Sequence, residues 1–141
     1  MSGVDAHVQA ILARLRAAPG PPPLVVLDGV VPAGVTPPYV LLYFTVSTPA
    51  GEMPADSTSI DMTSDRLVLR AYSHSVGANA QAARMVADRV WGALFNAAVQ
   101  VPGRTCWPVR HDDGQPMTRD ESTGVAVMDQ VDVWRLETIP A

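Results

Sequence analysis

The uneven distribution of proline constrains the fold of this chain more than any other feature of its sequence. Nine of the 13 prolines fall within the first 54 residues, whereas residues 55–101 contain none. Proline lacks a backbone N–H and has a fixed φ, so it concentrates in loops and at the ends of helices and strands. The pattern predicts loops around residues 19–23, 32–38 and 49–54, and the most regular structure in the proline-free stretch.

Hydrophobic residues at helical spacing predict two amphipathic helices. The first covers residues 4–18, and the second begins after Gly77 and Asn79 and ends at Pro102. Glycine inside a helix costs about 1 kcal/mol relative to alanine. We therefore expect Gly92 to be retained for close packing against a sheet. The apolar residues of the second helix are Ala83, Val86, Ala87, Val90, Trp91, Leu94 and Ala98.

Short apolar or alternating runs predict the strands, which cover residues 24–27, 39–46, 66–73, 105–109 and 125–136. Residues 39–46 are nearly all apolar or aromatic, which predicts a strand buried on both faces. The polar residues 47–59 and 111–124 are expected to be loops. Together these elements predict one α+β domain over residues 1–141, with a mainly antiparallel sheet of four to five strands and two helices packed on one face.

Composition excludes several classes of protein. Hydrophobic residues make up 48% of the chain and charged residues 17%, which is enough apolar material for a core. The net charge of −4 argues against a broad basic face that binds duplex DNA. A lone Cys106 forms neither an internal disulfide nor a structural zinc site. No apolar run or leader pattern predicts a membrane span or signal peptide, so we expect a soluble protein made in the cytoplasm.

The sequence contains no specific catalytic or metal-binding motif. His111-Asp112-Asp113 has ligand-type residues, but neighbours on an extended chain point apart and no second histidine follows at a helical spacing. His74 lies between two serines without an orienting carboxylate, and the glycines do not form a phosphate-binding loop. We therefore expect no enzymatic activity, no cofactor and no metal.

A strand that is apolar on both sides requires cover on both faces of its sheet. Two helices cover one face of a small sheet, and the other requires either loops of the same chain or another subunit. The sequence leaves both possibilities open.

The order of these segments resembles the small tail terminator (tail completion) proteins of phages with long, non-contractile tails. Besides the opening helix, the resemblance depends on LVVLDGVVP (24–32), PPYVLLY (37–43), LVLRAYSHSVG (67–77), QAAR (81–84), VWGAL (90–94), PGR (102–104), RDE (119–121) and DVWR (132–135). These motifs are individually weak, and their order and spacing over nearly the whole chain carry the resemblance.

The resemblance implies a structural protein of the virion, located at the head–tail junction. Related subunits form a hexameric ring on the head-proximal end of the tail tube, which stops tube polymerisation and offers a docking surface to the head. The implied partners are further copies of the chain, the tail tube protein and a head-side connector protein. DNA passes through the lumen without specific binding, and no membrane is involved.

Charged residues are the candidates for the contacts of such a ring. Glu52 and Asp56 lie in the polar segment that is expected to reach the tube or the lumen. The remaining candidates are Arg70, Arg104 and Arg119, each paired across subunits with Asp120, Glu121 or Asp132.

Three other hypotheses remain open at this point. The first is a head-closure or neck connector protein on the head side of the same joint. The second is a small enzyme or ligand-binding α+β domain that uses His74, His111 and carboxylates. The third is an assembly helper that is absent from the finished particle.

Overall fold

A computed structural model of the protein describes residues 3–48, 66–122 and 124–141. Two helices lie in the described chain, α1 (Val4–Arg16) and α2 (Ala80–Leu94). The strands are β1 (Val26–Asp28), β2 (Tyr39–Ser47), β3 (Leu67–Gly77), β4 (Arg104–Cys106), β5 (Arg110–Gly114), β6 (Thr118–Asp120) and β7 (Val127–Pro140).

The strands of the described chain form a single mixed sheet in the order β1, β2, β3, β7. Three short strands then share the second edge of β7: β6 pairs with its start, β5 with its middle and β4 with its end. All pairs are antiparallel except β1 with β2, which are parallel because residues 29–38 return the chain to the same end of the sheet. The predicted α+β class is confirmed, and the sheet is mixed instead of strictly antiparallel.

Both helices pack on one face of this sheet, as the periodicity predicts. The predicted apolar stripe of α1 is buried, and Leu12, Leu69, Val90 and Trp134 are each at most 1% exposed. Together with Leu136 they belong to one core cluster between the helices and the strands. Burial of a large apolar side chain contributes about 1.5–3 kcal/mol, so this cluster is the main source of stability.

Helix α2 is shorter than the sequence predicts. Asn79 caps its start, where its side chain accepts a hydrogen bond from the Ala82 N–H at 2.8 Å. The helix ends at Leu94 instead of continuing to Pro102, so Ala98 lies outside it. Asn96 then adopts a positive φ of 54° and donates its N–H to the Val109 carbonyl, which redirects the chain.

The expected reason for Gly92 is wrong. A Cβ atom added there has nothing within 4 Å, and the residue is exposed. Gly77, the last residue of β3, does have a close backbone contact, because an added Cβ would lie 2.3 Å from the Ala83 nitrogen. The turn from β3 into α2 therefore leaves no room for a side chain at this position.

Two further expectations are corrected by the strands. Burial of β2 on both faces holds only at its beginning, because Tyr43 is 45% exposed and the following residues alternate. The segment 111–124 is not a loop throughout, because its first four residues belong to β5 and residues 118–120 form β6. Strand β7 is long, and its second edge presents backbone donors and acceptors that these polar segments satisfy.

The sheet face opposite the helices, which we call the outer face, is covered at one end by the chain itself. Tyr39, Val76 and Val127 form a second buried cluster there, packed against Val31 and Val35 of the β1–β2 connection. Of the two possible covers that the sequence left open, a loop therefore protects this end. Along the rest of the outer face, charged and polar side chains, described below, alternate with apolar ones such as the buried Val68 and Val133.

Candidate interaction surface

Three arginines lie side by side on the outer face, on three adjacent strands. Arg70 of β3 is the register partner of Arg135 of β7, which in turn pairs with Arg110 of β5. Directly opposed like charges destabilise a sheet, and neighbouring strands are only about 5 Å apart. A row of this kind violates the usual rules of sheet design, and such violations are concentrated at functional sites.

Two carboxylates partly neutralise the row. Arg66 donates a 2.6 Å hydrogen bond to Glu137, whose other oxygen lies 3.6 Å from Arg135. Asp112 lies 3.6 Å from Arg70 and 3.8 Å from Arg135. These three longer separations exceed hydrogen-bonding distance, so none of them uses a guanidinium N–H of Arg70 or Arg135 in a hydrogen bond.

Arg110 is the least compensated member of the row. It is exposed, and none of the described residues forms an ion pair or a side-chain hydrogen bond with its guanidinium. Beside it lies an open cavity of about 240 Å³, which Arg66, Trp107, Arg135 and Glu137 also line. The Arg66 guanidinium lies over the Trp107 ring at 5.5 Å. We call the four arginines with Asp112 and Glu137 the basic end of the outer face.

The opposite end of the same face is acidic. Asp120 is the last residue of β6, Glu121 follows it, and Asp129 lies across from Thr118 on β7. His74 of β3 bonds the Asp129 carboxylate at 2.9 Å. We call Asp120 and Asp129, together with Glu121 at the adjoining edge of the sheet, the acidic end.

Ionisation at the acidic end reflects the nearby carboxylates. Burial raises the pKa of the Tyr39 phenol, and the charges of Asp129 and Asp120 raise it further. The pKa of Asp120 is lowered, first by the Ser122 backbone N–H, which donates to its carboxylate at 2.8 Å. Asp120 is therefore ionised at neutral pH, and the potential at this end is negative.

The two ends are separated along β7. Asp129 and Arg135 are six residues apart on the same side of an uninterrupted ladder with β3. That spacing corresponds to about 20 Å at the rise of an extended strand. Between them lie Tyr43 and His74, whose rings meet edge to face at 5.4 Å. Asp113 also lies between the ends, opposite Val133.

The residues predicted as ring contacts differ in where the structure places them. Arg70 and Asp120 lie at the two ends of the outer face. Arg119 is 66% exposed and pairs with Glu121 at 2.7 Å, at the sheet edge beside Asp120. Glu52 and Asp56 lie outside the described residues.

Two other predicted contact residues are buried within the chain. Arg104 is 7% exposed and donates to the Thr138 hydroxyl at 2.9 Å. Asp132 is 2% exposed and bonds His111 at 2.9 Å. Because both have partners inside the subunit, we leave them out of the candidate surface.

Arg66, Arg110 and Arg135 are members of the basic end that the sequence reasoning missed as candidates. The alternation of residues 66–70 and 133–137 places Arg66, Arg70 and Arg135 on one side of two strands, and that signal was available. Arg110 could not be placed, because it lay between the strand expected over residues 105–109 and the loop expected over residues 111–124, whereas it begins β5 in the structure.

His111, which the enzyme hypothesis used, makes contacts that hold the fold together. The His111 ring lies 4.2 Å from that of Trp91 and 4.9 Å from that of Trp134, and its Nε2 meets buried Asp132. Within the described ranges, no group of three His, Cys, Asp or Glu side chains is arranged to hold a metal ion. No helix in that part of the chain is long and apolar enough to cross a membrane.

Comparison with known proteins gives a likeness of fold. No protein-family model matches the sequence, and no curated protein is similar to it. Among solved structures, the chain is similar to one from a structure described as the virion of a native gene transfer agent particle. The TM-score is 0.54 and the sequence identity 21%, over 94% of this chain and 91% of that chain. At this identity the likeness shows that the two chains share a fold.

Proposed function

We propose that this protein is a structural component of a phage-like virion, and that it acts as a tail terminator. In this role it forms a ring, hexameric by resemblance, on the head-proximal end of the tail tube. The ring stops polymerisation of the tube and forms the surface on which the head docks. No bond is made or broken, and DNA passes through the lumen without specific binding.

The observation that carries the proposal is the likeness of fold to a chain of a gene transfer agent virion. The likeness extends over nearly the full length of both chains, so it is not limited to a common substructure. The resemblance of the sequence to tail terminators points to the same kind of particle independently. The outer face adds a physical reason for assembly, because it presents complementary charges at its two ends.

The ring contacts are proposed on the exposed charged residues. Arg70, Arg119, Asp120 and Glu121 remain candidates because their side chains reach the surface. Glu52 and Asp56 remain candidates from the sequence alone. A head-to-tail contact between two different patches closes into a ring when the rotation between neighbours is right.

Deletion of the gene tests the role within the particle. A missing terminator should leave heads unjoined and tube lengths no longer uniform, as seen by negative-stain electron microscopy. Complementation with the intact gene is the control. Unjoined heads beside finished tails of normal length would instead support a head-closure protein. Normal, infectious particles would contradict both structural roles.

A further inference from the structure

We propose that the basic end of the outer face docks onto the acidic end of a second copy of this chain, in a head-to-tail contact that repeats around the ring. Arg110 and its cavity would receive a carboxylate of the neighbour, with Glu121 as the exposed candidate. The inference rests on the proposed function for its ring, and it assigns the two surfaces that meet.

Like charges are crowded along the arginine row. Among the described residues, Arg70, Arg110 and Arg135 have two carboxylates within 4 Å of any of them, Asp112 and Glu137, and Glu137 is shared with Arg66. An anionic group would relieve the repulsion within the arginine row, because hydrogen bonds between guanidinium and carboxylate are charge-assisted and frequently bidentate.

The surface around these arginines has the chemical character of a protein interface. Arginine, tryptophan and tyrosine are the residues enriched at the energetic centres of protein interfaces. Trp107 is 39% exposed beside the cavity, and Tyr43 is 45% exposed on the same face. These side chains offer apolar contact area around the guanidinium groups.

The acidic end of a second copy has the charge and the position of a suitable occupant. The acidic end lies on the same face about 20 Å away, too far for a single subunit to join its own two ends. Glu121 is 62% exposed, and its only described partner is the exposed Arg119. The two ends are therefore different patches of opposite charge, as a head-to-tail contact needs. A two-fold dimer would instead join both ends of the same two subunits and stop there, so a wild-type protein that forms only closed dimers would contradict the ring contact.

A nucleic acid backbone fits the basic end less well. Asp112 and Glu137 lie between the arginines and would repel a row of phosphates. A protein surface, in contrast, can present a single carboxylate beside Arg110 and away from these two. The negative total charge of the subunit also opposes the approach of a polyanion. Nucleic acid is therefore the alternative that the experiment must distinguish.

The test uses two charge reversals of the full-length protein, Arg110→Glu and Glu121→Arg. Both residues are exposed, and Arg110 has no ion pair among the described residues, so both variants should fold. Each should weaken self-association by more than about tenfold, because like charges would then face each other. The matched control is Arg84→Glu on the exposed side of α2, which should assemble like the wild type.

A mixture of the two variants gives the most specific prediction. The intact basic end of Glu121→Arg should bind the intact acidic end of Arg110→Glu, and the pair cannot extend further. Native mass spectrometry should show heterodimers in the mixture and monomers in each variant alone. A chain with both substitutions should regain the wild-type oligomer, because the reversed charges are again complementary.

Several outcomes would overturn the inference. The first is a wild-type protein that stays monomeric at millimolar concentration and low ionic strength, where charged contacts are strongest. The second is an Arg110→Glu variant that assembles like Arg84→Glu. The third is Arg110→Glu abolishing the binding of DNA oligonucleotides while self-association is unchanged, which would assign the basic end to nucleic acid. If the chain is nevertheless found at the head–tail junction, the proposed function stands and only the assignment of surfaces falls.

Discussion

A buried histidine joins the first helix to the end of the sheet. The Nδ1 of His7 donates to the Gly3 carbonyl at 2.8 Å, because a carbonyl only accepts. Its Nε2 must then accept from the Thr138 hydroxyl, also at 2.8 Å, and that hydroxyl accepts from Arg104. Protonation of His7 would place a second donor against Thr138 and a second positive charge near Arg104.

Stability should therefore depend on pH through His7. Burial lowers its pKa below the ordinary value of 6.5, and the charge of Arg104 lowers it further, so the folded state binds fewer protons than the unfolded state. The contribution of His7 is complete above pH 6.5 and is lost as the pH falls below that value.

Urea unfolding at about pH 7.5 and about pH 5 measures this effect, with His7→Gln as the reference without a titrating ring. The wild type should lose more of its free energy of unfolding between the two values than the variant does. An equal loss in both proteins would show that His7 does not contribute.

Ser73 and Ser75 provide a matched pair on the helix-facing side of β3. Both are fully buried, but Ser73 accepts a 3.0 Å hydrogen bond from the Trp134 indole, whereas the Ser75 hydroxyl has no partner among the described residues. Ser73→Ala should cost about 1–3 kcal/mol because the buried indole N–H is left unsatisfied. Ser75→Ala should be neutral or stabilising. Chemical denaturation measures the free energy of unfolding of both variants, and equal changes would contradict the different roles of the two hydroxyls.

At the scale of elements, the sequence predicted the helices and strands whose apolar residues are periodic. It missed the strands that form only because a neighbouring strand offers hydrogen-bonding partners. Helix α1 has apolar residues at helical spacing and strand β3 alternates between apolar and polar residues, and both lie near their expected positions. Strands β5 and β6 are polar, and they are strands because the long edge of β7 requires hydrogen-bonding partners. The parallel pairing of β1 was equally invisible, because it follows from the path of the loop that succeeds it.

Two glycines of the α2 region should respond oppositely to alanine. Gly92→Ala should stabilise the fold by about 0.5–1 kcal/mol, since the position is helical and open. Gly77→Ala should destabilise it by about 1–3 kcal/mol or more, because the new methyl group meets the backbone of the first turn of α2. Thermal unfolding measures both changes, and a destabilising Gly92→Ala would contradict the open environment described here.

At the scale of the whole molecule, the candidate surface depends on charges that are distant in sequence. Arg70, Asp120 and Glu121 could be chosen from the sequence, but their grouping into two ends requires the register of β3 and β6 with β7. Buried Arg104 and Asp132 show the converse, because a charged residue in sequence gives no sign of a partner inside the core. The sequence therefore predicted that charged residues form the candidate surface, and it did not predict how they are arranged.

The proposed function requires this protein to lie at the joint between head and tail. A peptide tag on the exposed C-terminal Ala141, detected with gold-labelled antibody on purified particles, locates it directly. We expect label at the head–tail junction, and retention of that label at one end of tails that lack heads. Particles without label, while the tag is accessible on the free protein, would contradict the structural role.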